Sequence, residues 1–293
     1  MTIVAFIGVG AMGAGMAANQ AKAGRTVRAF DLNAAALARA VESGCVAAGS
    51  IAEAVAGADV VMTMLPAGPH VRAVYAEHIL PSAPKTALLL DCSTIDVESA
   101  RAVAVQAKAS GFTAADAPVS GGTAAADAGT LAFMVGCEEA AFARIEEALA
   151  PMSRVTIRAG ESGAGQAAKI CNNMLLGISM IGTCEAFALA EKLGLAPDRF
   201  FEIASKSSGQ CWSLTSYSPW PGVGPQTASD RDYEGGFATA MMLKDLKLAQ
   251  DAAAQAGATT PLGAQAEALY ALLARHGYGP KDFSIMLQFL RGA

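Results

Sequence analysis

The chain has 293 residues, of which 53% are hydrophobic and 16% are charged. This length suits two domains, and the composition excludes a disordered chain, which would lack the apolar surface needed for a core. Lysine and arginine number 21 against 26 acidic residues, and no basic run occurs, so nucleic acid is not an expected partner. The six cysteines include no C-x-x-C pair and no neighbouring histidine. We therefore expect no bound metal, no disulfide framework and a reducing compartment.

The N-terminus shows no basic leader and no small-residue cleavage site before the first predicted strand. The most apolar long segment, residues 171–190, is interrupted by Asn172, Asn173 and Glu185. It is therefore predicted to be a buried helix and not a bilayer span. We expect a cytoplasmic protein without a membrane partner.

The first half of the chain alternates short apolar runs with alanine-rich segments of helical composition. Strands are predicted at residues 3–7, 26–30, 59–64, 87–90, 113–117, 131–135 and 155–157, with helices that include 34–42 and 97–109. This alternation is typical of α/β proteins, in which helices cover both faces of a parallel sheet. We predict a Rossmann-type, doubly wound sheet over residues 1–162.

Strand signals stop after about residue 160, and a helical pattern follows over residues 165–193. This pattern ends at Gly194 with Pro197 beyond it, a common helix stop. Further helices are predicted at residues 197–206, 239–255, 261–275 and 281–290, and the segment 213–236 is predicted to be a functional loop because of its length. Residues 163–293 should form an all-α C-terminal domain built on a long inter-domain helix.

A glycine-rich turn follows the first predicted strand and opens a helix: Gly8-Val9-Gly10-Ala11-Met12-Gly13. Gly8 permits a tight turn, Gly10 allows a pyrophosphate to approach the backbone, and Gly13 allows close helix–strand contact. The helix N-terminus then offers free N–H groups to the phosphates. Such a motif alone is weak evidence in a chain with 30 glycines, but its place at the start of a βαβ unit predicts a dinucleotide site.

Asp31 ends the second predicted strand, eighteen positions after Gly13. A carboxylate near this spacing accepts hydrogen bonds from ribose hydroxyls and repels a 2′-phosphate. Leu32, Asn33 and Ala34 supply no cation to neutralise such a phosphate. The pattern predicts NAD in preference to NADP. The alternative is that Asp31 caps the helix that begins near Ala34.

A second stretch of interest follows the strand at 113–117: Asp116-Ala117-Pro118-Val119-Ser120-Gly121-Gly122. Backbone N–H groups and a serine hydroxyl in such a stretch can bind a carboxylate. Pro-Val-Ser-Gly-Gly is also good turn chemistry, and composition alone favours a simple turn over a carboxylate site.

Lys169 and Asn173 are four positions apart on the long predicted helix and therefore share one face of it. Most lysines are solvated, and Lys169 could be one of them. Its neighbours, however, are largely apolar, so a functional ammonium that Asn173 could orient is an equally good interpretation. Hydride transfer to a carbonyl needs such a group, because the negative charge that develops on oxygen must be stabilised and protonated.

Two other sets of residues are weaker candidates. Lys244 and Asp245 could reach the same cleft, although a solvated pair is the simpler interpretation. The histidines His70, His78 and His276 have no acid–base partner at an informative spacing. The sequence shows no convincing Ser/His/Asp, metal-ligand or P-loop pattern.

Taken together, these residues make the chain resemble the β-hydroxyacid dehydrogenase family over essentially its whole length. The matching stretches are residues 8–13, 116–122, 163–173 and 244–246, and resemblance at the level of the substrate rests on residues 207–213, 217–222 and 281–284. Val9 stands where leucine is usual, and Gln210 stands where arginine is expected before Cys211 and Trp212. The Gln210 difference puts the substrate preference in doubt, but not the chemistry.

The resemblance implies a role for each matching position. Lys169 is implied to be the catalytic lysine and Asn173 the active-site asparagine, both also contacting the substrate. Ser120, Gly121 and Gly122 are implied to bind the substrate carboxylate. The implied cofactor contacts are Gly8, Val9, Gly10, Ala11, Met12, Gly13, Asp31, Leu32, Asn33, Leu65, Pro66, His70, Thr94 and Lys244.

The resemblance also implies the reaction: NAD-dependent oxidation of 3-hydroxyisobutyrate to methylmalonate semialdehyde, a step of valine degradation. The alternatives are reduction of tartronate or succinate semialdehyde and, in another class, a non-catalytic dinucleotide-binding protein. Family members are commonly dimers or tetramers, so a homodimer or homotetramer is expected.

Overall fold

The structure, a computed structural model, describes residues 2–292, and its strands form one sheet. The strands are β1 (Ile3–Ile7), β2 (Thr26–Phe30), β3 (Val46–Ala47), β4 (Val60–Thr63), β5 (Leu88–Asp91), β6 (Thr113–Asp116), β7 (Val119–Ser120), β8 (Leu131–Gly136) and β9 (Ser153–Gly160). Their order is β3-β2-β1-β4-β5-β6-β8-β7, with β9 beside β8. The predicted α/β, doubly wound fold is confirmed.

One part of the sheet departs from the prediction of parallel strands. The strands from β1 to β6 run parallel, whereas β8 runs antiparallel to both β6 and β7. Hydrophobic runs mark a strand without giving its direction, so the sequence pattern could not show this reversal. The two-residue strands β3 and β7 were also missed, because they are too short for a periodic signal.

Helices cover both faces of the sheet. The helices of this part are α1 (Gly13–Lys22), α2 (Ala34–Glu42), α3 (Ile51–Val55), α4 (Gly68–Val74), α5 (Leu80–Ser82), α6 (Val97–Ala109), α7 (Gly122–Ala128) and α8 (Phe142–Leu149). Successive side chains of a strand point to opposite faces, so Val4 and Phe6 join one core while Ala5 and Ile7 join another. Burial on both faces explains why β1, β4 and β5 are almost entirely apolar.

The chain divides into two compact units, Met1–Lys169 and Ile170–Ala293. The helix α9 (Ala164–Lys192) runs from the end of the first unit into the second. The other helices of the second unit are α10 (Pro197–Ala204), α11 (Trp212–Thr215), α12 (Thr239–Ala256), α13 (Pro261–Leu273) and α14 (Met286–Arg291). The predicted all-α character of this region is confirmed.

Among residues 2–292, α9 is the helix long and apolar enough to cross a membrane by length and composition. Met180, Cys184 and Phe187 of α9 are fully buried in the core of the helical unit. This packing accounts for much of the hydropathy of α9, as expected for the core helix of a globular unit.

The predicted loop at 213–236 is more ordered than its composition indicates. It contains α11 and a 3₁₀ turn at Ala228–Arg231, which begins with a capping box between Thr227 and Asp230. Thr227 and Ser229 are buried, and both hydroxyls contact the Ser218 carbonyl oxygen. Turn residues therefore build a packed segment here.

Candidate active site

The glycine turn between β1 and α1 is packed tightly at two of its three glycines. Gly8 has a φ of +92°, and a Cβ atom there would collide with the Met64 carbonyl oxygen. A Cβ atom at Gly13 would collide with the Gly8 carbonyl oxygen. At Gly10, by contrast, an added Cβ would meet no atom within 4 Å. The turn thus leaves Gly10 facing open space, which suits the approach of a pyrophosphate to the backbone.

Asp31, which directly follows β2, stabilises the glycine turn through hydrogen bonds. Its Oδ2 accepts a hydrogen bond from the Val9 N–H at 2.8 Å, and its Oδ1 accepts one from the Asn33 N–H at 2.8 Å. The cap of α2 is Asn33, whose side-chain oxygen accepts from two backbone N–H groups of the first turn. The alternative that Asp31 caps α2 is therefore wrong. Leu32, between them, is 94% exposed.

The ends of β4 and β5 lie at the same edge of the sheet as Gly8 and Asp31, because all these strands run parallel. The Leu65 N–H donates to Ser93 Oγ at 2.8 Å, which joins the two loops that follow β4 and β5. Thr94 comes next in the second loop and is half-buried. Four segments with predicted cofactor contacts therefore meet at this edge.

Pro66 and His70 are both exposed. His70 lies on the first turn of α4, the helix that follows β4, and its N–H donates to the Ala67 carbonyl oxygen. The geometry of the strand ends supports the predicted cofactor contacts of Leu65 and Thr94 more directly than that of His70.

A buried carboxylate lies beneath this edge and was missed by the sequence analysis. Asp91 Oδ1 accepts hydrogen bonds from the hydroxyls of Thr63 at 2.7 Å and Ser93 at 2.6 Å. Burial raises the pKa of Asp91 to about 6, although these hydrogen bonds act in the opposite direction. Its position directly after the apolar predicted strand at residues 87–90 was the signal that could have marked it.

The loop at Ser120–Gly122 connects β7 of the same sheet to α7. Ser120 is half-buried at the end of β7, and Gly121 and Gly122 have φ values of +138° and +69°. The helix α7 begins at Gly122 and is held to α1 by Asn19, whose amide donates to the Ala126 carbonyl oxygen at 2.7 Å. The loop therefore combines a hydroxyl, two glycine N–H groups and a helix N-terminus, which suits a carboxylate.

Asp116 fixes the start of α9. Its Oδ1 accepts from the Gly163 N–H at 2.6 Å, and its Oδ2 accepts from the Gln166 N–H at 2.9 Å. Burial raises the pKa of Asp116, and these backbone donors partly oppose the shift. The stretch 116–122 thus contributes both a helix anchor and the glycine loop, and the anchor was not predicted.

Lys169 lies on α9 and is only 7% exposed. The interpretation of this residue as a solvated surface lysine is therefore wrong. A cation so far removed from water can stabilise and protonate a developing oxyanion more effectively than an exposed one.

In the helical unit, Asn173 is 2% exposed and held by a buried partner. Its amide nitrogen donates to Asp245 Oδ2 at 2.5 Å, and its amide oxygen accepts from Asn172 at 3.0 Å. Lys244 Nζ lies 3.5 Å from the other Asp245 oxygen. Because Asp245 is 2% exposed, the solvated-pair interpretation is wrong for this residue. Asp245 orients Asn173, a role that the sequence did not reveal.

The stretches on which the substrate-level resemblance rests come together in the helical unit. Tyr217 donates to the buried carboxylate of Asp282 at 2.9 Å and stacks on Trp212 with ring centroids 5.0 Å apart. Gln210 is exposed, and its amide lies 3.5 Å from the Thr215 hydroxyl. Tyr217 also stacks on Phe283, so one aromatic residue from each of the three stretches joins a single cluster. Among residues 2–292, no group of three or more His, Cys, Asp or Glu could hold a metal ion.

Two family models match the chain. The model described as the NAD binding domain of 6-phosphogluconate dehydrogenase matches residues 3–160. The model described as NAD-binding of NADP-dependent 3-hydroxyisobutyrate dehydrogenase matches residues 163–290. Both descriptions name a nicotinamide dinucleotide, so the chain carries the NAD-binding domains that these two models describe.

Curated relatives match over nearly the whole chain. A Pseudomonas aeruginosa 3-hydroxyisobutyrate dehydrogenase is 48% identical and covers 100% of this chain and 99% of that protein. An NAD-dependent L-serine dehydrogenase of the same species is 47% identical, covering 98% and 97%. The solved structure of Mycobacterium tuberculosis 3-hydroxyisobutyrate dehydrogenase with L-serine superposes with a TM-score of 0.95 at 46% identity, covering 99% of each chain.

Proposed function

The chain belongs to the 3-hydroxyisobutyrate dehydrogenase family, and we propose that it catalyses the NAD-dependent oxidation of 3-hydroxyisobutyrate to methylmalonate semialdehyde, a step of valine catabolism. The observation that carries this proposal is the near-complete burial of Lys169 on α9. A buried ammonium can stabilise and protonate the oxygen on which negative charge develops during carbonyl–alcohol redox chemistry. The relatives' substrate then identifies the alcohol.

The residues at the carboxyl edge of the sheet suit NAD. The open space at Gly10 admits the pyrophosphate, while the Asp31 carboxylate, held at the end of β2, suits ribose hydroxyls and disfavours a 2′-phosphate. The remaining proposed contacts are Val9, Ala11, Met12, Leu32, Asn33, Leu65, Pro66, His70, Thr94 and Lys244. Bound NAD supplies the hydride acceptor.

Lys169 handles the proton of the reaction. During oxidation its amine accepts the O–H proton of the alcohol, as the C–H bond gives up its hydride and a carbonyl forms. In the reverse direction the ammonium returns this proton to oxygen. Asn173, fixed by Asp245, orients the reacting groups and exchanges no proton.

Ser120, Gly121 and Gly122 bind the carboxylate of the substrate through one hydroxyl and backbone N–H groups. 3-Hydroxyisobutyrate and L-serine both carry a primary alcohol two carbons from this carboxylate. L-serine is therefore a second candidate substrate, favoured by the 47% identical L-serine dehydrogenase.

The proposal also covers the roles of the two domains and the oligomeric state of the enzyme. We assign residues 1–162 to the NAD-binding domain and 163–293 to the helical domain for substrate binding and oligomerisation. Leu175 and Leu189 on α9 are 64% and 60% exposed, which suits a homodimer or homotetramer built on this domain.

Lys169→Ala tests the proposal. We expect kcat with 3-hydroxyisobutyrate to fall by about 10²- to 10⁴-fold, the usual contribution of a general acid or base. NADH binding, followed by fluorescence, should persist. Steady-state kinetics with 3-hydroxyisobutyrate, L-serine and glycerate against NAD and NADP then identifies the substrate and the cofactor.

Lys247→Ala is the matched control, because Lys247 is an exposed helical lysine on α12. Its kcat should equal that of the wild type. Near-normal turnover by Lys169→Ala would remove Lys169 from the mechanism, and equal use of NADP would remove Asp31 from cofactor selection.

A further inference from the structure

Gln166 is a fully buried glutamine on the first turn of α9. Its amide nitrogen donates to the Ser93 carbonyl oxygen at 2.7 Å, and its amide oxygen accepts from the Ile95 N–H at 3.1 Å. These two backbone groups lie immediately before and after Thr94. The side chain therefore spans the residue that we assign to cofactor contact.

The orientation of this amide is fixed by its partners. Rotating it by half a turn would place oxygen against the Ser93 carbonyl and NH₂ against the Ile95 N–H, so both hydrogen bonds would be lost. The backbone N–H of Gln166 is also held, by Asp116 Oδ2 at 2.9 Å. Main chain and side chain of Gln166 are thus both anchored.

We propose that Gln166 is a positioning residue, which clamps the peptide groups on both sides of Thr94 and so holds this loop in register with the turn of α9 that carries Lys169. Lys169 follows Gln166 by three positions, almost one helical turn. The inference rests on the proposed function, because it takes its meaning from the roles of Thr94 and Lys169. A displacement of about 1 Å between such groups can lower a rate about 100-fold.

A buried glutamine can also serve stability alone, and Gln20 shows this case in the same unit. Gln20 is fully buried, and its amide donates to the Ala148 carbonyl oxygen at 3.0 Å and accepts from Arg25 at 2.7 Å. These partners belong to α8 and to the turn after α1, not to the strand ends that carry the predicted cofactor contacts. Substitutions at Gln20 therefore provide a matched control for loss of a buried amide.

Gln166→Glu is the informative variant because it copies glutamine only when it is protonated. A neutral carboxyl can donate its O–H to the Ser93 carbonyl and accept from the Ile95 N–H, as the amide does. An ionised carboxylate places a charged oxygen against the Ser93 carbonyl, so the contact is lost as pH rises. Gln166→Leu lacks the clamp at every pH.

The experiment compares each variant with the wild type between pH 5.5 and pH 9. For Gln166→Glu we expect the ratio of variant to wild-type kcat/KM to fall at least about tenfold across this range. The NADH dissociation constant, measured by fluorescence without turnover, should rise in parallel. Gln166→Leu should be impaired at both ends of the range, and Gln20→Glu should give a flat ratio.

A flat ratio for Gln166→Glu, or wild-type kcat and NADH affinity in Gln166→Leu despite a lower melting temperature, would overturn the positioning role. Failure of the proposed function looks different, because the wild type would then oxidise none of the hydroxyacids tested. The NADH affinity of Gln166→Glu would still report the clamp in that case. Loss of affinity with rising pH supports the clamp, and constant affinity refutes it.

Discussion

The substitution Asp91→Asn should change how the stability of the protein depends on pH. Asp91 is 4% exposed, and its Oδ1 accepts three hydrogen bonds, from the Thr63 hydroxyl and from the hydroxyl and N–H of Ser93. Its Oδ2 is buried and has no hydrogen-bond partner among residues 2–292. Asparagine keeps the accepting oxygen and removes the charge.

The size of the effect follows from the pKa. Burial raises the pKa of Asp91 from 3.8 to about 6, a shift of about two units, and each unit corresponds to about 1.4 kcal/mol. Below about pH 4 the carboxyl is neutral in both states. Between about pH 4 and pH 6 the carboxyl ionises in the unfolded chain but not yet in the folded protein, so the free energy of unfolding falls by about 3 kcal/mol. Above pH 6 this loss of stability stays constant.

Urea unfolding followed by far-ultraviolet circular dichroism measures this effect. The free energy of unfolding of Asp91→Asn minus that of the wild type should rise by about 3 kcal/mol between pH 4 and pH 7. Asp251→Asn, a change at an exposed position of α12, is the control and should give a constant difference. A constant difference for Asp91→Asn as well would refute the argument that burial raises the pKa of Asp91.

Two further changes test the cofactor turn and the support of Asn173. Gly10→Ala should keep the wild-type melting temperature but weaken NADH binding at least about tenfold, whereas Gly8→Ala should lower stability by more than about 1 kcal/mol because of its positive φ and the Met64 carbonyl; unchanged NADH affinity in Gly10→Ala would contradict the open-space assignment. Asp245→Ala should lower kcat/KM about tenfold in steady-state assays by leaving Asn173 without its acceptor, and Asp245→Asn should recover part of this loss. Equal activity of the two Asp245 variants would argue against the orienting role.

The buried polar groups at the carboxyl edge form one network under the predicted cofactor contacts. Asp91 Oδ1 accepts a hydrogen bond from the Ser93 hydroxyl, whose oxygen in turn accepts one from the Leu65 N–H. The Ser93 carbonyl oxygen accepts a hydrogen bond from the side-chain amide of Gln166. Apart from Asp91 Oδ2, each buried side-chain nitrogen and oxygen atom of this network has a hydrogen-bond partner. Such a network favours one arrangement of the loops, because each broken link would leave a buried polar group unpaired.

The sequence alone determined the features that depend on local patterns. Alternation of apolar runs and alanine-rich segments placed the main strands and helices, since periodicity reports which face of an element is buried. The bounds of β1, β2 and α2 matched the predictions, and the glycine turn was evident from conformational demands within one βαβ unit. The apolar surroundings of Lys169 likewise indicated its burial, which the structure shows.

Tertiary structure decided the direction of β8 and the partners of the buried polar groups. Gln166 meets Ser93 across 73 positions of sequence, and Asn173 meets Asp245 across 72. A hydrophobic pattern carries no information about which distant donor faces which acceptor, because that pairing arises only when separate elements pack together. For the same reason Asp91 and Asp245 looked ordinary in the sequence, and only their burial showed that one carries a raised pKa and the other orients a site residue.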